Sequence, residues 1–190
     1  EEVTEQLEYI HAKLSVIAHV RPKYACNRCD EAVSIAPMPS LFLPKSMATP
    51  SLVAHAIVSK YEDHLPLYRQ EQIWGRLGIE MPRNTVCGWI MAAYEVCEPM
   101  RQALHGELIA SNYLQADETT LQVMDEPNRK NTSTSYMWVY RNHRPDKKVV
   151  LFNYQQTRKA QWPRELLKDF KGYLQTDGYK GYDWVDEHPD

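Results

Sequence analysis

The chain has 190 residues, of which 43% are hydrophobic, 11% aromatic and 25% charged, so it is long enough for one or two globular domains. No apolar run reaches the roughly 20 residues of a membrane span, and the acidic start Glu1–Glu5 has none of the features of a signal peptide. These features predict a cytoplasmic protein with no membrane partner. The net charge of −3 argues weakly against a general affinity for nucleic acid.

Residues 1–35 contain a Cys-x-x-Cys pair, Cys26 and Cys29, and before it an apolar stretch, Val16–Val20, that predicts a strand. Two thiolates on one tight turn can share a zinc ion, which needs four ligands. No second such pair occurs, and His11 and His19 stand at no recognised zinc-binding spacing. The pair therefore predicts either half of a zinc site or two reduced surface cysteines. A thioredoxin-like redox role is not indicated, because no βαβ pattern surrounds the pair.

Residues 36–50 are rich in proline, with Pro37, Pro39, Pro44 and Pro50. Proline removes a backbone donor and fixes φ, so this stretch cannot be a regular helix or a central strand. The pattern predicts an extended linker and a domain boundary.

Residues 51–112 have a helical pattern. Ser51 is expected to cap a helix over Leu52–Tyr61, and Pro66 to open a second helix over Leu67–Leu77. Gly78 is expected to end that second helix.

A third helix is predicted after the turn Ile79–Pro82, with Asn84 or Thr85 as its cap. Pro99 is expected to kink or restart it, and the helical pattern then runs to about Ile109. Cys87 and Cys97 are expected to pack as small apolar residues. The apolar face of the third helix is formed by Val86, Trp89, Ile90, Ala93, Val96 and Cys97.

Two short helices joined by a few residues favour a helix-turn-helix, in which the start of the second helix contacts base edges. Arg83, Asn84 and Thr85 have suitable chemistry and are candidate DNA-binding residues. The alternative is a plain helical hairpin that binds nothing.

From residue 113 the pattern changes to strands. Strands are predicted over Tyr113–Asp125, Ser135–Asn142 and Lys148–Tyr154, then a helix over Trp162–Phe170 and a strand over Lys171–Asp177. Short connections favour an antiparallel meander, and the helical crossover returns the last strand parallel to the first.

If those two strands are neighbours, Asp117 and Asp177 meet on one side of the sheet. A carboxylate within a core strand is costly unless it is paired or metal-bound, and magnesium is the natural ion between two carboxylates. The alternative is two solvated strand ends. Glu118 follows Asp117 directly, but strand alternation sends it to the opposite face, so Asp117 is the predicted ligand.

The chain resembles the insertion sequence 66 family of DDE transposases. The resemblance runs in order along nearly the whole chain and is carried by Arg21–Cys26, Pro44–Ser46, Ser59–Glu71, Ala116–Thr119, Ser135–Tyr140 and Asp169–Tyr179. It implies an α+β multidomain protein whose last region, residues 113–190, is the start of a ribonuclease-H-like catalytic domain. The implied order before it is a zinc-binding segment (1–35), the linker (36–50) and a helix-turn-helix-like region (51–112).

The activity implied by the resemblance is DNA transposition, with Asp117 and Asp177 as catalytic residues that bind Mg²⁺ or Mn²⁺. It also implies Zn²⁺ at Cys26 and Cys29, with the other cysteine pair upstream of Glu1. The third acid of a DDE set is expected on a helix far downstream, since Asp183, Asp186, Glu187 and Asp190 stand too close to Asp177. The chain is therefore expected to be an inactive piece of a transposase.

The partners implied are the element's ends and the target DNA, with a homo-oligomer assembled on them. Residues 127–171 contain eleven Lys or Arg against three Asp or Glu, as a phosphate-backbone partner would require. Arg129 and Lys130 open this basic segment and are further candidate DNA-binding residues. Two alternative functions are a non-catalytic DNA-binding module and another metal-dependent nuclease of ribonuclease-H-like fold.

Overall fold

The computed structural model describes residues 3–9, 13–26, 33–124 and 126–185. Two compact units divide the chain, residues 1–52 and 53–190. None of the helices within the described ranges combines the length and the apolar composition that crossing a membrane would need.

The first unit contains a small antiparallel hairpin of strands β1 (Lys23–Ala25) and β2 (Val33–Ile35). The predicted strand Val16–Val20 is wrong, because these residues have no regular secondary structure. Val16 is 95% exposed and Val20 86% exposed, so neither gains the burial that favours a strand. Residues 36–49 have only bends and turns, as the prolines predict.

Four helices follow, namely α1 (Pro50–Tyr61), α2 (Leu67–Arg76), α3 (Arg83–Val96) and α4 (Glu98–Ile109). The predicted positions of all four are confirmed to within a few residues. Pro99 starts a new helix in its first turn, where its missing N–H costs nothing.

The helix ends explain two wrong capping predictions. The hydroxyl of Thr49, not Ser51, accepts the N–H of Leu52 at the start of α1, at 3.4 Å. Helix α3 begins at Arg83 after Pro82, whose extended ψ of 133° lets it precede the helix without a side-chain cap, so neither Asn84 nor Thr85 caps it.

Gly78 ends α2 as predicted, with a φ of +77°. Its N–H donates to the Gly75 carbonyl, and the N–H of Ile79 donates to the Trp74 carbonyl, both at 3.0 Å. This is the Schellman arrangement that glycine permits at a positive φ.

The apolar face of α3 is narrower than predicted. Val86, Trp89 and Ala93 are buried, whereas Val96 is 48% exposed. Cys87 is exposed and Cys97 half-buried, so the prediction that Cys87 packs inside is wrong. Cys87 follows Val86 by one position, and one residue turns the helix by about 100° away from the buried face.

The second unit contains a four-stranded sheet in the order β5-β4-β3-β6. Its strands are β3 (Tyr113–Gln122), β4 (Thr134–Asn142), β5 (Val150–Gln155) and β6 (Tyr173–Gln175), with helix α5 (Gln161–Leu166) between β5 and β6. The first three strands form an antiparallel meander, and β6 pairs parallel with β3. The predicted topology is therefore confirmed, although α5 and β6 are shorter than predicted.

One face of this sheet, here called the covered face, packs against α4, α5 and a 3₁₀ helix at Lys180–Val185. The other, here called the open face, leaves large side chains in solvent, such as Phe152 with 68% exposure. The core on the covered face consists of Leu108, Leu114, Ala116, Trp138, Tyr140, Val149, Leu151, Leu167 and Tyr182. Because Leu108 belongs to α4, that helix is part of the sheet's core.

Candidate metal site

Asp117 and Asp177 line one cavity on the open face, here called the acidic cavity. Its volume is about 410 Å³. Two carboxylates on one side of the sheet are the arrangement that the strand order predicts. The acidic cavity is lined by Gln115, Ala116, Asp117, Val139, Arg141, Gln175, Thr176 and Asp177.

The register of the parallel pair helps to explain why the two aspartates line one cavity. Gln115 of β3 pairs with Gln175 of β6, and each aspartate follows its glutamine by two residues. Within β3, side chains two residues apart point to the same face, so Asp117 lies on the face of Gln115. Asp177 lies two residues beyond the end of β6 and lines the same cavity from the segment that follows the strand. On that face the Gln115 amide donates to the Gln175 oxygen at 3.0 Å, and the Tyr113 hydroxyl donates to the same oxygen. These bonds join β3 to β6 directly beside the aspartates.

Each aspartate is held by the backbone that follows it. The N–H of Glu118 donates to the Asp117 Oδ1 at 2.8 Å. The N–H of Tyr179 donates to the Asp177 Oδ1 at 3.0 Å, across a turn at Gly178 with a φ of +78°. Asp117 is exposed, and the Asp177 side chain is 50% exposed. Both carboxylates are therefore accessible from solvent.

Of these two neighbouring acids on β3, Glu118 has the buried carboxylate and Asp117 the exposed one. The Glu118 side chain is fully buried beneath the covered face. Its Oε1 accepts Arg158 Nε at 2.5 Å, and its Oε2 accepts the Tyr182 hydroxyl at 3.1 Å. Asp117 and Glu118 point to opposite faces, as predicted, but the prediction that Asp117 is the acid inside the core is wrong, because that acid is Glu118.

The charge of Glu118 affects its neighbours. Its hydrogen bond to Arg158 raises the pKa of that guanidinium. Burial raises the pKa of Tyr140 and of Tyr182 well above the usual range, and the nearby Glu118 charge raises both further. An ordinary tyrosine is already protonated at neutral pH, so the Tyr182 hydroxyl can donate to Glu118.

No group of three or more His, Cys, Asp or Glu side chains with metal-binding geometry occurs within the described ranges. Asp183 lies in the 3₁₀ helix and is exposed. Asp186, Glu187 and Asp190 lie outside the described residues. The described part of the acidic cavity thus offers two carboxylates.

The predicted DNA-binding residues are in two places. Arg83 and Asn84 are exposed and Thr85 is half-buried, all in the first turn of α3. Lys130 is exposed in the β3–β4 connection. The Arg129 guanidinium is used within that connection.

Arg129 ties its own loop together. Its Nη1 contacts Glu126 Oε2 and Ser135 Oγ, each at 2.7 Å, and its Nη2 donates to the Thr134 carbonyl at 3.0 Å. Glu126 is only 8% exposed and also accepts the Tyr154 hydroxyl. A guanidinium engaged in this way has fewer donors left for a phosphate.

Of the two predicted zinc-binding cysteines, Cys26 lies within the described residues. Cys26 follows β1 and is exposed. Cys29 and His11 lie outside the described ranges, and His19 is exposed in an irregular stretch. The spacing of the two sulfurs therefore stays a prediction.

Sequence reasoning missed Arg141 and Arg158. Arg141 pairs with Gln115 across β3 and β4 and lines the acidic cavity. Strand alternation could have indicated Arg141, because it places this side chain on the face opposite to that of its neighbours Tyr140 and Asn142, which are buried. Arg158 gave no such signal, because its position depends on a loop returning across 40 residues to Glu118.

The sheet and the acidic cavity define a class: an α+β protein with an exposed aspartate pair where two parallel strands meet. Residues 45–189 match the profile of the transposase IS66 family, and residues 1–30 match that of the zinc-finger binding domain of transposase IS66. The chain belongs to the IS66 family of transposases.

Three relatives come from Sinorhizobium fredii (strain NBRC 101917 / NGR234), and each is named only as an uncharacterized protein. The chain is 35% identical to y4jD over 99% of its own length, 34% identical to y4qI over 96%, and 29% identical to y4hP over 96%. It spans 38%, 34% and 33% of their respective lengths. No solved structure gives a significant match to the chain.

Proposed function

We propose that this chain belongs to the DNA-binding and catalytic part of a transposase that cuts and joins DNA with divalent metal ions. The observation that carries the proposal is the position of Asp117 and Asp177 in one solvent-accessible cavity. A carboxylate pair is the oxygen-rich site that magnesium prefers. The family membership supports a transposition-related activity.

The catalytic region is proposed to be ribonuclease-H-like. Support comes from three antiparallel strands followed by a helix and a fourth strand parallel to the first. Asp117 and Asp177 each lie two residues after a glutamine of the paired strands β3 and β6, namely Gln115 and Gln175. The helical crossover that makes these strands neighbours therefore also brings the two aspartates to one cavity. The proposed organisation before it is the zinc-binding segment, the linker and the DNA-binding helices, with the boundaries given above.

Asp117 and Asp177 are proposed to hold Mg²⁺ or Mn²⁺ with their exposed carboxylates. The bound ion would supply a positive charge beside the scissile phosphate and lower the pKa of a bound water. The chain's own contribution is positioning, because the N–H groups of Glu118 and Tyr179 each hold one oxygen of Asp117 and Asp177 before any ion binds. Arg141, in the same cavity, is proposed to contact a DNA phosphate.

DNA binding is proposed for the start of α3 in a helix-turn-helix-like arrangement with α2. Arg83 and Asn84 are exposed in its first turn, and the N-terminus of a helix favours a phosphate. Lys130 remains a candidate on exposure, whereas Arg129 is a weaker one because its guanidinium is engaged. Zinc binding at Cys26 and Cys29 is proposed from the family's zinc-finger segment, and the exposed Cys26 thiol is compatible with it.

Replacing Arg83 by alanine is expected to weaken binding to DNA carrying the element's ends by about tenfold, and to reduce the slope of log affinity against log salt by about one. The measurement is fluorescence anisotropy over a salt titration. Arg101→Ala is the matched control, because Arg101 is already paired with Glu98 at 2.7 Å. Equal losses from both variants would contradict a role for the α3 start.

Strand transfer tests the catalytic half. With Mn²⁺ and DNA carrying the element's ends, residues 1–190 are expected to bind DNA but to give no joined product. The resemblance to DDE transposases implies a third acid, and the described part of the acidic cavity offers two carboxylates. Robust joining would mean that the third acid is among Asp183, Asp186, Glu187 and Asp190. Metal-dependent nicking without joining would favour another nuclease, and salt-sensitive binding without metal affinity would favour a non-catalytic DNA-binding module.

A further inference from the structure

Glu118 and Arg158 form an ion pair directly behind the acidic cavity. Two nitrogens of the Arg158 guanidinium, Nε and Nη2, lie 2.5 Å from Glu118 Oε1. The Glu118 side chain is fully buried, while that of Arg158 is 40% exposed. The pair therefore reaches from the covered face of β3 toward solvent.

The same guanidinium lies close to one of the proposed metal ligands. Arg158 Nη2 is 3.9 Å from Asp177 Oδ2, beyond hydrogen-bond distance. The guanidinium lies over the Tyr179 ring, 3.7 Å from its centroid, and the Tyr179 hydroxyl donates to the Arg158 carbonyl at 2.6 Å. These contacts hold Arg158 beside the Asp177 turn.

Two carboxylates thus compete for one guanidinium. Glu118 has the advantage, because it is buried and an unpaired buried carboxylate is costly. If Glu118 were neutral, Arg158 would gain most by moving toward Asp177, where a charge-assisted hydrogen bond of about 2.9 Å could form. A guanidinium paired with Asp177 would occupy the oxygen that a metal ion needs.

We propose that Glu118 is a positioning residue that engages Arg158 from the covered face and so keeps the Asp177 carboxylate available to a divalent metal. The inference rests on the proposed function, because it takes Asp117 and Asp177 as the metal ligands. It gives Glu118 a role distinct from that of Asp117, although the two are neighbours in the chain.

The test is the affinity for Mn²⁺, measured from the electron paramagnetic resonance signal of free Mn²⁺ during titration. Glu118→Gln is expected to weaken Mn²⁺ binding by about tenfold, which is typical of groups that orient metal ligands. The double variant E118Q/R158Q leaves no unpaired charge in the buried pair and is expected to restore the affinity to within about threefold of the parent chain. A merely structural role for Glu118 would give no such restoration.

Glu98→Gln is the matched control. Like Glu118, Glu98 pairs with an arginine, here Arg101, but it lies on α4 and its side chain is 33% exposed. It is expected to leave Mn²⁺ binding unchanged. Melting temperatures of all variants identify any loss of folding. In addition, a metal-free crystal structure of E118Q is expected to place Arg158 Nη2 about 2.9 Å from Asp177.

The outcomes separate the two proposals. If the parent chain and D117N/D177N bind Mn²⁺ alike, the metal site itself is wrong and this inference falls with it. If the parent chain binds Mn²⁺ through the aspartates but E118Q binds equally well, or the double variant is not restored, only the role of Glu118 is overturned. A crystal structure of E118Q in which Arg158 still contacts the side chain at position 118, and not Asp177, would also overturn it.

Discussion

Replacing both Asp117 and Asp177 by asparagine is expected to reduce the affinity of the chain for Mn²⁺ by about 100-fold or more. Loss of a group that only orients a ligand costs about 10–100-fold, so loss of both proposed ligands should reach at least the upper end. Each single variant, D117N or D177N, should show most of this loss of Mn²⁺ affinity, because one carboxylate cannot hold the ion at the cavity alone.

The D117N/D177N substitution is well suited to testing function because it should leave the fold intact. Asp117 is exposed and the Asp177 side chain half-exposed, and an asparagine oxygen can still accept the N–H of Glu118 or Tyr179. We expect the free energy of unfolding without metal to change by less than about 0.5 kcal/mol.

Asp146→Asn is the control for nonspecific charge loss. Asp146 lies between β4 and β5, and the hydrogen bond from Arg144 keeps the pKa of its carboxyl below the usual value. Calorimetry measures the stability, and titration the Mn²⁺ affinity, of the parent chain, D117N/D177N and D146N. If D146N weakens binding as much as D117N/D177N, the ions bind a diffuse negative surface, and the acidic cavity is not the site.

Replacing Trp138 by alanine is expected to reduce the free energy of unfolding by about 3–5 kcal/mol. Trp138 is fully buried at the centre of the covered face, and its ring meets Tyr182 edge-on at 6.0 Å between centroids. Tyr182 also donates to Glu118, so the cavity left by Trp138 would loosen the support behind the acidic cavity. A loss of this size is a large part of the about 5–15 kcal/mol typical of a domain.

Two comparisons make this prediction specific. The Trp138 Nε1 has no hydrogen-bond partner within the described part of the chain. Trp138→Phe should therefore reduce the free energy of unfolding much less than Trp138→Ala does, because it removes some side-chain volume but no hydrogen bond. Phe152→Ala on the open face, where Phe152 is 68% exposed, should cost below about 1 kcal/mol. Urea unfolding followed by circular dichroism measures all three. Equal costs for Trp138→Ala and Phe152→Ala would mean that the two faces are not packed as described.

Local patterns in the sequence determined much of this protein. Alternation along β3 determined that Asp117 and Glu118 point to opposite faces, and short turns with one helical crossover determined an antiparallel meander closed by a parallel strand. Gly78 and Pro99 marked helix boundaries through backbone constraints that act within a few residues. These features depend on neighbours in the chain, so they could be predicted without coordinates.

Only the tertiary structure decided which face of the sheet is covered. Because α4 and α5 pack on the face that carries Glu118, the aspartate beside it is left in solvent. The tertiary structure also decided the partners of two arginines: Arg158 reaches back 40 residues to Glu118, and Arg129 turns into its own hairpin. Charge patterning could not distinguish these arginines from DNA-binding ones, because a side chain's partner depends on which distant segments folding brings within a few ångströms.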